Sequence, residues 1–215
     1  MNTKNLVAEF VGTFALIFIG AGALAIGTGG LVGIALAHGL VIVTFAYAYG
    51  HISGTHINPA VTLGLLIAGE IEFVAAIGYW IVQFLGGILG AVVLNAVLPD
   101  ASDLGVTILG EGVGVGQGLI VEIVLTFFLV NTIFNTAVSG KAGNFAGLAI
   151  GLTLVLCILM GGPLTRASLN PARTLGPAVV SGNYADIWLY FVGPFVGAIL
   201  AALLYIGVLK DKGEA

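Results

Sequence analysis

Ala167-Ser168-Leu169-Asn170-Pro171-Ala172-Arg173 has a counterpart earlier in the chain, Thr55-His56-Ile57-Asn58-Pro59-Ala60, with the two asparagines 112 positions apart. In each stretch a small or polar run leads into Asn-Pro-Ala, and an apolar segment follows. Asparagine is a favoured helix N-cap and proline a favoured first helical residue, so each triplet reads as the start of a helix entered from extended chain. The apolar runs that follow, 60–68 and 172–180, fall well short of the ~20 residues a helix needs to cross a bilayer. Two capped short helices in so apolar a chain read as broken segments meeting at membrane mid-depth.

Composition sets the class. Of 215 residues, 59% are hydrophobic and 7% charged, where a soluble domain carries roughly a quarter charged. The apolar surface therefore faces lipid. The 34 glycines suit membrane helices that pack by close backbone approach. Cys157 is the single cysteine, which excludes an intrachain disulfide and leaves the redox compartment open. The formal net charge of −4 points to no partner, and no basic cluster invites nucleic acid or polyanionic lipid. No cofactor and no metal is expected.

Working outward from the triplets gives six long apolar segments, near residues 6–26, 31–49, 73–98, 118–138, 145–160 and 187–209, each close to spanning length. The fold class is therefore an all-α membrane protein, a single domain over 1–215 with six spans and two re-entrant half-helices. Lys4 precedes the first span and no small-residue cleavage site follows, so that span reads as retained and not as a signal peptide. Lys4, Lys141, Lys210 and Lys212 share one side of a six-span chain, which the positive-inside rule makes cytoplasmic. Glu70 and Glu72 join them; Asp100, Asp103, Glu111 and Asp186 fall on the other side. Both termini are thus expected in the cytoplasm of a cell-membrane protein, with the first half-helix entering from inside and the second from outside.

An internal repeat supports that opposition. Ala8-Glu9-Phe10-Val11-Gly12-Thr13-Phe14 resembles Val121-Glu122-Ile123-Val124-Leu125-Thr126-Phe127, offset by 113, and Gly86-x3-Gly90 matches Gly193-x3-Gly197, offset by 107. Repeats of about 1–108 and 109–215, with an odd number of crossings in each, are inverted.

Paired Asn-Pro-Ala triplets, Arg173 directly after the second, a glutamate in the first and fourth spans and the inverted repeat together resemble the aquaporin (major intrinsic protein) family over essentially the whole chain. The resemblance implies a homotetramer in lipid, each subunit with its own pore for water and small neutral solutes. It also implies a four-membered selectivity ring, which counting from the triplets places at His38, Ile158, Ala167 and Arg173. A histidine first and an aliphatic second is similar to ammonia-permeable aquaporins, including some plant vacuolar ones. Glycerol-conducting relatives resemble one another in an Asp after the Arg, a basic residue four further on and a Pro in the sixth span. Thr174, Ala178 and Tyr190-Phe191 stand at those places here and look like the water-selective pattern, with a glycerol or small-polyol facilitator as the alternative.

The centre can also be argued physically. Each half-helix carries about +0.5 charge at its N-terminus, so two meeting at mid-depth repel cations, hydronium included. The amides of Asn58 and Asn170 donate to a passing water oxygen and turn its hydrogens outward, which interrupts a proton wire. Upstream backbone at Gly54, Thr55, His56, Arg166 and Ser168 is expected to be extended, with carbonyls facing the lumen. His38 and Arg173 are read as donors of the ring. Glu9 and Glu122 are read as structural acids that accept loop N–H bonds, with Gln83 in a similar role. Proton relay by these acids would defeat a proton-excluding pore. His51 reads as a loop anchor, Arg166 as a solvated residue of the outer mouth. Gly86-x3-Gly90, Gly143-x3-Gly147-x3-Gly151 and Gly193-x3-Gly197 read as helix-packing ridges. Cys157, ten residues before Ala167, predicts weak inhibition by mercurials.

Other classes lack what they need. A hydrolase has no Gly-x-Ser-x-Gly pattern and no carboxylate to orient a histidine near Ser53, so no catalytic residue is assigned. An ion-coupled secondary carrier also uses broken helices, but places an ionisable pair where this chain has asparagines. A scaffold would need longer tails or loops.

Overall fold

A computed structural model describes residues 2–98 and 103–211; Asp100 and Lys212, used above for orientation, lie outside them. Among the described residues the regular structure is helical throughout. In chain order the segments are α1 (Thr3–Ile26), α2 (Gly30–Ser53), α3 (Pro59–Ile67), α4 (Phe73–Val97), α5 (Val115–Val138), α6 (Gly143–Thr165), α7 (Pro171–Ser181) and α8 (Leu189–Leu209). Six are long and apolar enough to cross a membrane, at 21 to 25 residues each; α3 and α7 have only 9 and 11.

The starts and stops follow local chemistry. Asn2, Asn58 and Asn170 each sit in extended backbone and cap α1, α3 and α7 through their side-chain oxygens. Pro59 and Pro171 follow as the first helical residues, as the triplets predicted. Gly54 ends α2 with a φ of 83°. Two spans run on past their expected ends: α2 runs to Ser53, and α6 continues through Gly161, Gly162 and Pro163 to Thr165. Pro163 lies in the last turn of α6, where it removes one helical hydrogen bond two residues before the helix ends.

Polar side chains are buried among the helices, and apolar ones cover the outside. Glu9, Gln83 and Glu122 are fully buried, whereas Leu85 and Ile120 are 53% and 62% exposed. Long helices pair as α1 with α4, α2 with α6 and α5 with α8. Backbones approach closely at the expected glycines: Gly90 lies so near α1 that a Cβ there would stand 2.8 Å from the Phe14 carbonyl oxygen. Gly193 and Gly197 meet Glu122 and Ile123, while Gly147 and Gly151 meet Ala46 and Val43. Gly143 departs from the expected ridge. It takes a φ of 50° in the turn that opens α6, and a Cβ there would meet nothing within 4 Å, so the third ridge is Gly147 and Gly151 alone.

Ion pairs mark one end of the bundle. Lys141 meets Asp211 at 3.2 Å and Lys210 meets Glu70 at 3.4 Å, which brings the α5–α6 loop, the α3–α4 turn and the end of α8 together.

Candidate functional site

The N-termini of α3 and α7 are joined through their asparagines. Asn58 Oδ1 accepts from Ala60 N (2.8 Å), while its Nδ2 donates to the Leu169 carbonyl (2.8 Å). Asn170 Oδ1 accepts from Ala172 N (3.0 Å) and Arg173 N (3.2 Å), while its Nδ2 donates to the Ile57 carbonyl (2.9 Å). Each side chain therefore caps its own half-helix and staples it to the loop leading into the other. An amide NH2 has two hydrogens, so each asparagine keeps one for a molecule between them.

The approach loops differ from the extended backbone expected. Thr55 and Ile57 have φ of 52° and 39°, and Arg166, Ala167 and Leu169 have 58°, 44° and 54°. Left-handed backbone at non-glycine residues costs about 1–3 kcal/mol each and persists only when the surroundings enforce it. Two buried carboxylates do so. Glu9 accepts from His56 N (2.9 Å), Ile57 N (2.6 Å), Ser53 Oγ (2.7 Å) and Gln83 Nε2 (2.8 Å). Glu122 accepts from Ser168 N (2.9 Å), Leu169 N (2.8 Å) and Thr165 Oγ1 (2.7 Å).

Further positioning residues escaped the sequence reading. Tyr79 Oη donates to the Ser53 carbonyl (2.8 Å) and Tyr190 Oη to the Thr165 carbonyl (3.1 Å). His56 Nδ1 meets Thr62 Oγ1 at 3.1 Å, and Ser168 Oγ meets Thr174 Oγ1 at 2.6 Å. Ser53 with Thr165, and Thr62 with Thr174, share the offset of 112 that separates the asparagines. Comparing the two halves residue by residue would have found them.

A narrow cavity of about 30 Å³ runs past these groups. Its polar lining is His38, Thr55, His56, Asn58, Ser168, Asn170 and Arg173, and the remainder is aliphatic, including Leu16, Ile42, Leu129 and Leu154. Of the four residues counted for the ring, His38 and Arg173 line the cavity, and Ile158 and Ala167 are buried in an apolar cluster beside it, with Leu125 and Cys157 and with Leu129, Leu154 and Leu169, which also line it. Gly54 closes α2, and the Arg166 N–H donates to the Gly162 carbonyl at the end of α6 (3.0 Å).

His38 corrects one expectation. Its Nδ1 lies 2.9 Å from the Ile34 carbonyl, which only accepts, so Nδ1 carries the hydrogen. In the neutral ring Nε2 is then an acceptor, not a donor, and it has no protein partner. Gly20 makes room for the imidazole: a Cβ there would stand 2.6 Å from the ring. Arg173, 1% exposed, donates from Nη1 to the Gly105 carbonyl (2.6 Å) and leaves Nε and Nη2 unpartnered by protein. Buried polar atoms without a protein partner call for a ligand or water.

Arg166 is not simply solvated, because the loop before α5 folds back onto it. Its Nη1 binds Asp103 Oδ2 at 2.5 Å and the Val106 carbonyl at 2.8 Å. Gln83 does serve the structural role expected, donating to both Glu9 and Thr62. His51 is exposed in the last turn of α2.

Comparison with known proteins places this arrangement. Residues 1–205 match the family described as Major intrinsic protein. Probable aquaporin TIP3-2 of Arabidopsis thaliana is 42% identical, across 94% of this chain and 82% of its own length. Lens fiber major intrinsic protein of Gallus gallus is 44% identical, across 94% and 80%. Glycerol uptake facilitator protein-like 6 of Lactiplantibacillus plantarum is 43% identical, across 93% and 95%. The X-ray structure of the aquaglyceroporin from Plasmodium falciparum covers 97% of both chains with a TM-score of 0.83; at 24% identity that likeness concerns the fold alone. A family match over nearly the full length, with relatives above 40% identity that this chain spans almost throughout, shows that it belongs to the major intrinsic protein (aquaporin) family of membrane channels.

Proposed function

We propose that this member of the family is a passive, proton-excluding channel for water that also passes ammonia. The observation that carries the reading is the set of unpartnered polar atoms on two residues that line one cavity: Nε and Nη2 of Arg173 as donors and Nε2 of His38 as acceptor, beside Asn58 and Asn170. A permeant matching that set needs a lone pair and a hydrogen to donate. Water and NH3 have both. Ammonium has no lone pair, and the Arg173 guanidinium repels it together with two helix N-termini of about +0.5 charge each. Ile158 and Ala167, as the other ring members, add no hydrogen-bonding demand.

Glycerol is the competing permeant, since a relative named Glycerol uptake facilitator protein-like 6 is similar to this chain. Against it, the residue after Arg173 is Thr174, whose hydroxyl is engaged by Ser168 and by Thr107 at 2.9 Å. Stopped-flow measurements on proteoliposomes test the reading, with water, ammonia, hydrogen peroxide and glycerol compared for wild type and His38→Phe. Fast water and ammonia flux with slow glycerol flux is expected. Ammonia uptake no faster than in empty vesicles would rule out the ammonia part.

The proposal extends to the assembly. The chain is one domain of two inverted repeats, 1–108 and 109–215, as the matched Glu9 and Glu122 clamps support. It functions as a homotetramer in lipid, in a cell membrane, with both termini in the cytoplasm. Cross-linking in membranes and protease protection of a terminal tag test those points.

A further inference from the structure

Arg173 lines the cavity, with Nη1 held by the Gly105 carbonyl and Nε and Nη2 left without a protein partner. That carbonyl belongs to a tight turn. Asp103 Oδ1 accepts from Gly105 N (2.9 Å), and the Asp103 carbonyl accepts from Val106 N (3.1 Å). Gly105 itself has a φ of 67° and lies against the Ala21 carbonyl, where no side chain fits.

One nitrogen spans this turn. Arg166 Nη1 donates to Asp103 Oδ2 and to the Val106 carbonyl, the residues on either side of the stretch that carries Gly105. Arg166 also occupies the left-handed position that ends α6, at a φ of 58°, where glycine is the usual residue. A bulky side chain in glycine's place, engaged at two points of one turn, acts through what that turn holds. We propose that Arg166 is a positioning residue for solute selection: with Asp103 it fixes the 103–106 turn, so that Gly105 holds Arg173 with two donors facing the cavity. The inference rests on reading Arg173 as part of the selectivity ring.

The test uses the full-length protein in proteoliposomes and reads the ratio of glycerol to water permeability. Asp103→Asn and Arg166→Gly each raise the ratio, by roughly fivefold, the scale of the net worth of one ordinary hydrogen bond. Glycine suits the φ at 166, so that variant removes the side chain while keeping the turn of the backbone. Arg173→Ala raises the ratio too, and Asp103→Asn combined with Arg173→Ala raises it no further, because the effect passes through Arg173. If Arg173→Ala raises the ratio while Asp103→Asn and Arg166→Gly leave it unchanged, or if the effects add, the positioning role is overturned and the ring reading stands. If Arg173→Ala itself leaves the ratio unchanged, the ring reading fails and takes this inference with it. Water flux above that of empty vesicles in every variant shows that the pore has formed.

Discussion

Among single side chains, His38 and Arg173 offer complementary chemistry: one unpartnered acceptor and two unpartnered donors on residues that line a single cavity. His38→Phe removes the acceptor, and ammonia permeability is expected to fall by about tenfold relative to water. Ammonia uptake followed with a pH-sensitive dye checks this. Cys157 is fully buried in the cluster beside the cavity, its Sγ 3.6 Å from the Leu125 carbonyl, so mercurials are expected to inhibit weakly. Strong block of water flux that Cys157→Ala relieves would contradict that. Arg173 was legible in the sequence because a charge at this depth stands out. The acceptor role of His38 was not, because it depends on which carbonyl its Nδ1 reaches, and that is set by the helix turn at Ile34.

At the level of elements, the half-helices depend on two clamps. Both oxygens of Glu9 and of Glu122 receive hydrogen bonds from strained loops. Glu9→Gln turns an NH2 either toward the donors of Ile57 and Gln83 or toward those of His56 and Ser53, and stability is expected to drop by about 2–4 kcal/mol, read as a lower melting temperature in detergent. Packing of α7 on α4 is a second dependence. A side chain at Gly176 collides with the backbone of Gly87, and Gly176→Leu is expected to destabilise by about 1–3 kcal/mol in the same assay. The half-helices were legible because Asn-Pro carries cap and first-turn chemistry in two adjacent residues. The left-handed loops were not. Thr55 and Ile57 are β-branched and disfavour positive φ, and partners distant in sequence or outside the loop override that preference: Glu9, 48 positions before Ile57, holds the Ile57 N–H, and Ser53 Oγ holds the Thr55 N–H.

The whole molecule turns the soluble pattern inside out, with fully buried Glu9, Gln83, Glu122 and Arg173 near its centre and exposed leucines outside. Composition and segment length made that legible, since 7% charged residues cannot cover a soluble surface. The loop that folds back onto Arg166 and Arg173 was not, because nothing local to 103–114 says which helix ends it will meet. The central claim concerns the meeting of α3 and α7: their joined N-termini admit small neutral molecules and hold protons back. It is tested most directly by osmotic shock of vesicles that carry the purified protein and an internal proton-sensitive dye. The account predicts shrinkage at least about tenfold faster than in empty vesicles, with a proton leak no greater than theirs. Shrinkage at the empty-vesicle rate, or fast shrinkage with free proton leak, would contradict it.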